Sequence, residues 1–171
     1  MDYKLVEKPA FNVIGKSRKF TTVNKENLKK IPQFWSEFVK SKDYKTICDL
    51  IATEKKLTVT GPTILGVCIP NENKNLEEFF YAIGVEYSSK KVPAGFETIH
   101  IPAVTWAIFD TFGPAEKAVQ EVTERIYQEW FPSTGYEEAA APELEVYPEG
   151  DTNSPGYRCQ IWVPINQKKK R

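Results

Sequence analysis

The segments WFPSTGYE (residues 130–137), PELEVY (142–147) and YRCQIWVPI (157–165) decide how this chain is expected to fold. The first segment is typical of a helix that ends at a turn containing proline and glycine. The other two are short and rich in β-branched and aromatic residues, so they predict strands. Because side chains alternate along a strand, one face is apolar and can pack on a helix. The other face mixes carboxylates, an amide and large aromatic rings.

The mixed face supplies the first candidate binding residues. Glu145 and Tyr147 alternate with apolar neighbours on the first strand, and Gln160 and Trp162 share a face of the second. Aromatic rings offer apolar area and a negative π face, and a shielded carboxylate is costly until a cation reaches it. We therefore predict a surface for a flat or cationic organic molecule, with Glu145 as its anchor. The alternative is an ordinary solvated sheet face, where such residues are common.

Composition excludes several classes of function. The chain has 171 residues, and its 23 Lys and Arg balance its 23 Asp and Glu. A zero net charge predicts no direct binding of nucleic acid, and we interpret the basic run at 168–171 as a solvated tail, with a weak polyanion contact as the alternative. The sequence has no signal peptide and no long apolar run, so we expect a cytoplasmic protein that does not enter a membrane.

No motif for a metal, a cofactor or a nucleophilic triad is present. The three cysteines are far apart and form no CxxC pair, which argues against a disulfide framework and a zinc site. The single histidine, His100, lies between isoleucines ahead of a strand, and we interpret it as structural. The glycines form neither a nucleophile elbow nor a phosphate-binding loop. We predict no cofactor and no metal.

The whole chain fits two copies of a strand–helix–strand–strand unit, at about residues 1–88 and 96–166, followed by a basic tail at 167–171. The segment PAFNVIG at 9–15 matches PAVTWAI at 102–108, and 81–87 matches 157–163. Two such units can join into one antiparallel sheet with both helices on its apolar face. We therefore predict a single α+β domain over 1–171 with a ligand cleft on the face opposite the helices.

Three residues outside these segments would complete the predicted cleft. Trp106 could form another aromatic wall, with plain core packing as the alternative. Glu86 and Gly84 lie on the matching strand of the first copy, where a glycine leaves room for a ligand or marks a bulge. Trp35 and Trp130 fall on apolar helix stripes and are assigned to the core.

The order W-F-P-x-S/T-G-Y-E, P-E-L-E-V-Y and a Tyr-containing strand ending in I-W-V-P-I resembles the GyrI-like, or AraC-type, effector-binding domain family. The resemblance covers the second half and, more loosely, the first. It implies two such units around a central cleft, where acidic residues on the last strands meet cationic drugs. Gln160 stands where the family commonly has glutamate, and Trp106 where it usually has tyrosine.

We therefore predict a stand-alone effector-binding protein that captures an aromatic or cationic small molecule, for transcription-linked sensing or for sequestration. Many members of the family carry an AraC or MerR DNA-binding domain ahead of this module, so regulation here would need a protein partner. Two alternatives follow from the resemblance. One is a hydrolase of cyclopropane-containing electrophiles with Glu145 as acid or base, which Gln160 weakens. The other is a protein that binds and inhibits DNA gyrase.

Overall fold

The computed structural model describes residues 1–54, 57–71, 77–89 and 91–168, so most of the predicted basic tail lies outside the described residues. The helices are α1 (Asn27–Phe38), α2 (Lys42–Thr53) and α3 (Ala115–Arg125), which continues through a π-helical turn, Ile126–Trp130, and a short turn, Phe131–Ser133. The strands are β1 (Lys4–Lys8), β2 (Phe11–Thr21), β3 (Ile64–Pro70), β4 (Glu78–Glu86), β5 (Glu97–Ile101), β6 (Val104–Phe112), β7 (Tyr136–Glu138), β8 (Glu143–Tyr147) and β9 (Arg158–Gln167). Among these residues, no helix is long and apolar enough to cross a bilayer.

The strands form one antiparallel sheet in the order β1-β6-β9-β8-β3-β4-β2-β5, with β7 paired to β9. The predicted α+β class with a single antiparallel sheet is therefore confirmed. The outermost strand of each half is exchanged: β1 precedes β2 in the chain but pairs with β6, and β5 precedes β6 but pairs with β2. This exchange ties the two halves of the sheet together.

The strand register defines which positions of the two halves correspond. Gly66 of β3 pairs with Glu145 of β8 at the centre of the sheet. On one side, the strand pairing leads from Gly66 to position 16 of β2, and on the other it leads from Glu145 to position 109 of β6. Positions 16 and 109 therefore correspond. These positions are 93 apart (16 to 109), as are the predicted partners 9 and 102. On the next strands, 83 corresponds to 161, so the predicted match of 81 with 157 is displaced by two residues.

The helices begin and end where local chemistry favours it. Pro114 precedes the first residue of α3, Glu116 lies in its first turn and Arg125 in its last, which suits the helix dipole. In α1, Pro32 lies inside a continuous helix, so the helix neither breaks nor restarts there. Because proline has no amide hydrogen, the Leu28 carbonyl loses its usual helical donor. The Gln120 side chain of α3 donates to that carbonyl at 3.4 Å.

The two faces of the sheet are covered in different ways. On one face, α1 and α2 pack mainly on β2 and β4, while α3 packs on β6 and β9. The opposite face carries its own apolar cluster, whose described members come from strands except for Val59 in the loop before β3. Its members include Leu65, Val67, Trp106, Ile108, Leu144, Val146 and Trp162. The opposite face is therefore a closed core, and the structure differs from the prediction that a cleft would lie there.

Candidate functional site

A cavity of about 1830 Å³ lies on the helix-bearing face, between α1 and α2 on one side and α3 on the other. It exists because each half of the sheet carries its own helices, which leaves the central β3–β8 pair between them. Its floor includes Ile64, Cys68, Tyr81, Glu143, Glu145, Tyr147 and Ile161, and its walls include Leu28, Ile31, Trp35, Tyr44, Val119 and Gln120. This is ample space for a drug-sized molecule, since ligand pockets commonly measure about 300–1,000 Å³.

Glu145 lies at the centre of the cavity floor. Its Oε2 accepts a hydrogen bond from the Tyr147 hydroxyl at 2.8 Å and a short one from the Tyr81 hydroxyl. The Trp35 indole in turn donates to the Tyr81 hydroxyl at 2.9 Å, so α1, β4 and β8 share one network. Burial raises the pKa of Glu145, and the two tyrosine hydrogen bonds oppose that rise. The carboxylate is thus held in place by neutral donors.

The aromatic residues around Glu145 remain uncharged at neutral pH. Burial, followed by the negative charge of Glu145, raises the pKa of Tyr81 and of Tyr147 well above the ordinary value. The rings of Trp35 and Tyr147 pack edge to face with centroids 5.1 Å apart. A fixed carboxylate with aromatic neighbours is the arrangement that recognises an organic cation.

Gly66 makes room for the Tyr81–Glu145 hydrogen bond. It is paired with Glu145 across β3 and β8. A Cβ at this position would stand 2.5 Å from the Glu145 Oε2 and closer still to the Tyr81 hydroxyl. A larger residue would displace one of the two groups. Sequence reasoning missed this residue, although a glycine inside an apolar strand is a signal that something approaches the backbone closely.

Glu143 is a second carboxyl of the cavity floor that sequence reasoning missed as a site residue. It lies two residues before Glu145 on the same face of β8 and opposite Cys68 of β3. Its Oε1 is shielded from solvent and has no hydrogen-bond partner among the described residues. Burial, followed by the charge of Glu145, raises the pKa of Glu143 to about 7. The alternation Glu143-Leu144-Glu145 was the signal that could have found it.

The described lining of the cavity carries more negative than positive side chains. It includes six carboxylates and two lysines, namely Glu116, Glu121, Glu124, Glu143, Glu145 and Glu149 with Lys25 and Lys117. Lys117 is already paired with Glu121 at 3.6 Å. The lining therefore favours the approach of cations.

Five of the seven predicted ligand-binding residues lie on the opposite face, away from this cavity: Gln160, Trp162, Trp106, Glu86 and Gly84. The register of β8 and β9 pairs Leu144 with Trp162 and Glu145 with Ile161. Paired residues share a face, so the prediction that Trp162 shares the face of Glu145 is wrong. The prediction placed the polar face of β8 beside the wrong face of β9. An error of one residue in the register of two strands has this effect, because it moves every side chain of one strand to the other face.

Trp106, Trp162 and Gln160 have structural roles, because they pack and hydrogen-bond with one another and with β6. The two indoles pack edge to face with centroids 5.8 Å apart inside the apolar cluster. The Trp162 Nε1 donates to the Gln160 Oε1 at 2.9 Å, and the Gln160 amide donates to Asp110 at 2.8 Å. These contacts hold β9 against β6.

Glu86 and Gly84 stabilise the first half of the sheet. The Glu86 carboxylate accepts hydrogen bonds from three consecutive backbone N–H groups, Thr58, Val59 and Thr60, and so fixes the loop ahead of β3. Gly84 pairs with Gly15, and a Cβ at Gly84 would collide with the Ile14 carbonyl. The glycine therefore allows close approach of β2 rather than of a ligand.

Solved structures match the fold over nearly its full length. The structure of SAV2435 bound to tetraphenylphosphonium has a TM-score of 0.80 at 24% identity, covering 97% of this chain and 94% of that chain. A proposed bacterial transcription regulation protein from Staphylococcus aureus MU50 has 0.70 at 25% identity, covering 96% and 98%. The integron cassette protein VCH_CASS2 from Vibrio cholerae has 0.69 at 14% identity, covering 96% and 95%.

None of the curated proteins matches this chain. The family model Cass2, described as integron-associated effector binding protein, matches residues 4–165. That range includes every strand except the last two residues of β9. Together with the fold, this match confirms the predicted resemblance to GyrI-like effector-binding domains. The chain belongs to the Cass2 family of integron-associated effector binding proteins.

Proposed function

We propose that this protein captures an aromatic, hydrophobic cation in the cavity between its two halves, with Glu145 as the anchor. The observation that carries the proposal is the placement of Glu145 at the floor of a large cavity. Its carboxylate is half-buried, and its described hydrogen-bond donors are both neutral. A buried charge without a counter-ion is unfavourable, and a bound cation removes much of that cost.

The surroundings of Glu145 support a ligand that is aromatic as well as charged. Trp35, Tyr81 and Tyr147 supply ring faces and edges near the carboxylate, and such rings attract cations by their quadrupoles. The apolar side chains of Ile31 and Val119 line the walls. The complex of SAV2435 with tetraphenylphosphonium, a cation of this class, supports the same proposal.

Ligand capture would serve transcription-linked sensing through a protein partner or sequestration of a toxic compound in the cytoplasm. The effector-binding family and the similarity to the Staphylococcus aureus protein support a role in sensing. In either case the ligand is bound and released unchanged.

The test is a calorimetric titration with tetraphenylphosphonium and with tetraphenylborate, an anion of the same shape. We expect the cation to bind and the anion not to bind. Glu145→Gln should weaken binding of the cation by about 1–3 kcal/mol, as expected when one partner of a charged contact is removed. The matched control is Glu137→Gln, which neutralises an exposed carboxylate of β7 outside the cavity lining and should leave the affinity unchanged. Equal binding of both ions, or an unaffected Glu145→Gln variant, would contradict the proposal.

A further inference from the structure

Capture of one cation at Glu145 leaves the second carboxyl of the floor unexplained. Glu143 faces the same cavity, and its Oε1 is closed off from solvent without a hydrogen-bond partner in the described part of the chain. Buried polar atoms are nearly always paired, so an unpaired one in a cavity wall points to a missing partner. The missing partner would be a donor or a cation supplied by a ligand.

The two carboxyls differ in how the protein holds them. The Glu145 Oε2 is fixed by two tyrosine hydroxyls, whereas Glu143 lies beside the thiol of Cys68. The two side chains leave the same face of β8 two residues apart, so their Cα atoms are roughly 7 Å apart. Two negative groups at that separation can each meet one positive centre of a rigid ligand.

The described groups around Glu143 supply no counter-ion. On the floor these groups are Cys68 of β3, Tyr81 of β4 and Tyr147 and Glu145 of β8, with Glu138 of β7 close enough to act on Cys68. The walls add Tyr44 and Cys48 from α2, Lys25 ahead of α1, Glu149 after β8, and Glu116, Lys117, Glu121 and Glu124 from α3. Neither Glu143 nor Glu145 takes part in a salt bridge within the described residues.

We propose that the cavity selects ligands with two separated positive charges, one held at Glu145 and the other at Glu143. This inference rests on the proposed function, because it assumes that the ligand enters this cavity. The ligand class is a rigid aromatic dication, such as a bis-pyridinium. Glu143 is then the residue that distinguishes dications from single cations of the same shape.

The second charge would be recognised in a pH-dependent way. Burial and the nearby charge of Glu145 raise the pKa of Glu143 to about 7, so its carboxyl is neutral below that pH and negative above it. A dication binds more tightly to the negative form, so its affinity increases as the pH rises through 7. A single cation held at Glu145 should show a smaller change over the same range.

The experiment compares methyl viologen, a rigid dication, with 1-methyl-4-phenylpyridinium, which has nearly the same shape and one charge. At about pH 8 the wild-type protein should prefer methyl viologen by about tenfold, as expected for one additional partly desolvated charge contact. Glu143→Gln should remove this preference while keeping its affinity for the single cation within about twofold. Glu137→Gln is the control, because it removes an exposed negative charge of β7 that lies outside the cavity lining.

The outcomes separate this inference from the proposed function. The inference is wrong and the proposed function stands if tetraphenylphosphonium binds but wild type does not prefer methyl viologen. The same holds if Glu143→Gln weakens the binding of methyl viologen and of 1-methyl-4-phenylpyridinium equally. If tetraphenylphosphonium does not bind, both are wrong. A second readout needs no variant. The preference of wild type for methyl viologen should fall by about fivefold between pH 8 and pH 6, and a constant preference would overturn the inference.

Discussion

Glu86 is buried and Glu145 half-buried, and these two glutamates of one sheet lie on opposite faces and have different roles. Glu86 is 4% exposed and accepts hydrogen bonds from three backbone N–H groups and the Thr60 hydroxyl. Glu145 accepts hydrogen bonds from two side-chain hydroxyls and faces a cavity. Burial of a carboxylate is therefore a poor guide to a binding site by itself. What matters is whether the protein already supplies its partners.

The largest expected effect is on stability, and it belongs to the opposite face. Glu86→Ala leaves the N–H groups of residues 58–60 unpaired, so we expect the free energy of unfolding to fall by about 3–5 kcal/mol. Urea denaturation measures this change. Glu121→Ala, on the exposed face of α3, is the matched control and should change it by less than about 0.5 kcal/mol. A Glu86 variant as stable as wild type would break the comparison.

The second prediction concerns Glu143 on the cavity side, where replacing the carboxyl is expected to increase the free energy of unfolding instead of lowering it. The pKa of Glu143 is raised from 4.5 to about 7, so the folded state binds its proton more tightly than the unfolded state does. This group therefore makes stability fall as the pH rises from about 4.5 to about 7, and the loss is complete above 7. Glu143→Gln should remove this fall, which makes the variant more stable by about 3 kcal/mol at about pH 8.

Urea denaturation at a series of pH values checks that sign. The stabilities of wild type and Glu143→Gln should converge below about pH 4.5, where the carboxyl is protonated in both states. A variant that is less stable than wild type at about pH 8 would show that the Glu143 charge already has a partner inside the protein.

The third prediction concerns the space that the Tyr81–Glu145 hydrogen bond occupies. Gly66→Ala places a Cβ against both groups, so we expect a stability loss of about 1–3 kcal/mol and a clear loss of affinity for tetraphenylphosphonium. Gly135→Ala is the matched control, because a Cβ there meets nothing within 4 Å. Unchanged affinity in the Gly66 variant, measured by calorimetry, would argue that the hydrogen bond does not shape the site.

The smallest expected effect is at the top of the cavity. The hydrogen bond from Gln120 to the Leu28 carbonyl joins α3 to α1 and exists because Pro32 cannot supply the usual donor. Gln120→Ala should speed both association and dissociation of tetraphenylphosphonium, with the affinity altered by less than about 0.5 kcal/mol. Stopped-flow fluorescence measures both rates. Gln33→Ala, which removes a hydrogen bond to Glu37 within α1 and lies outside the cavity lining, should leave them unchanged.

The comparison also explains what could be predicted from sequence. Alternation within β8 correctly placed Glu143, Glu145 and Tyr147 on one face, and the match of 9–15 with 102–108 has the same offset as the observed sheet register. Alternation cannot show which face of β8 continues into which face of β9, because that depends on long-range register. For this reason Trp162 and Gln160 were assigned to the side of Glu145, and they lie on the other.

The cavity itself could not be predicted from the sequence pattern of the strands. It depends on how far apart the helices of the two halves lie, which is a property of tertiary packing and leaves no local pattern. The role of Glu86 depends on a loop 26–28 residues away along the chain, and that contact has no sequence signature. Gly66 left a faint signal, a glycine within the apolar run of β3, but the group that approaches it comes from another strand.

The central claim is that the ligand binds on the helix-bearing face and not on the face of Trp106 and Trp162. The most direct measurement is quenching of tryptophan fluorescence by tetraphenylphosphonium in wild type, Trp35→Phe and Trp162→Phe. Trp35 lines the cavity, whereas Trp162 is buried in the opposite cluster. We predict that Trp35→Phe loses the ligand-dependent quenching and that Trp162→Phe keeps it. Loss of quenching in Trp162→Phe alone would place the ligand on the opposite face and contradict the claim.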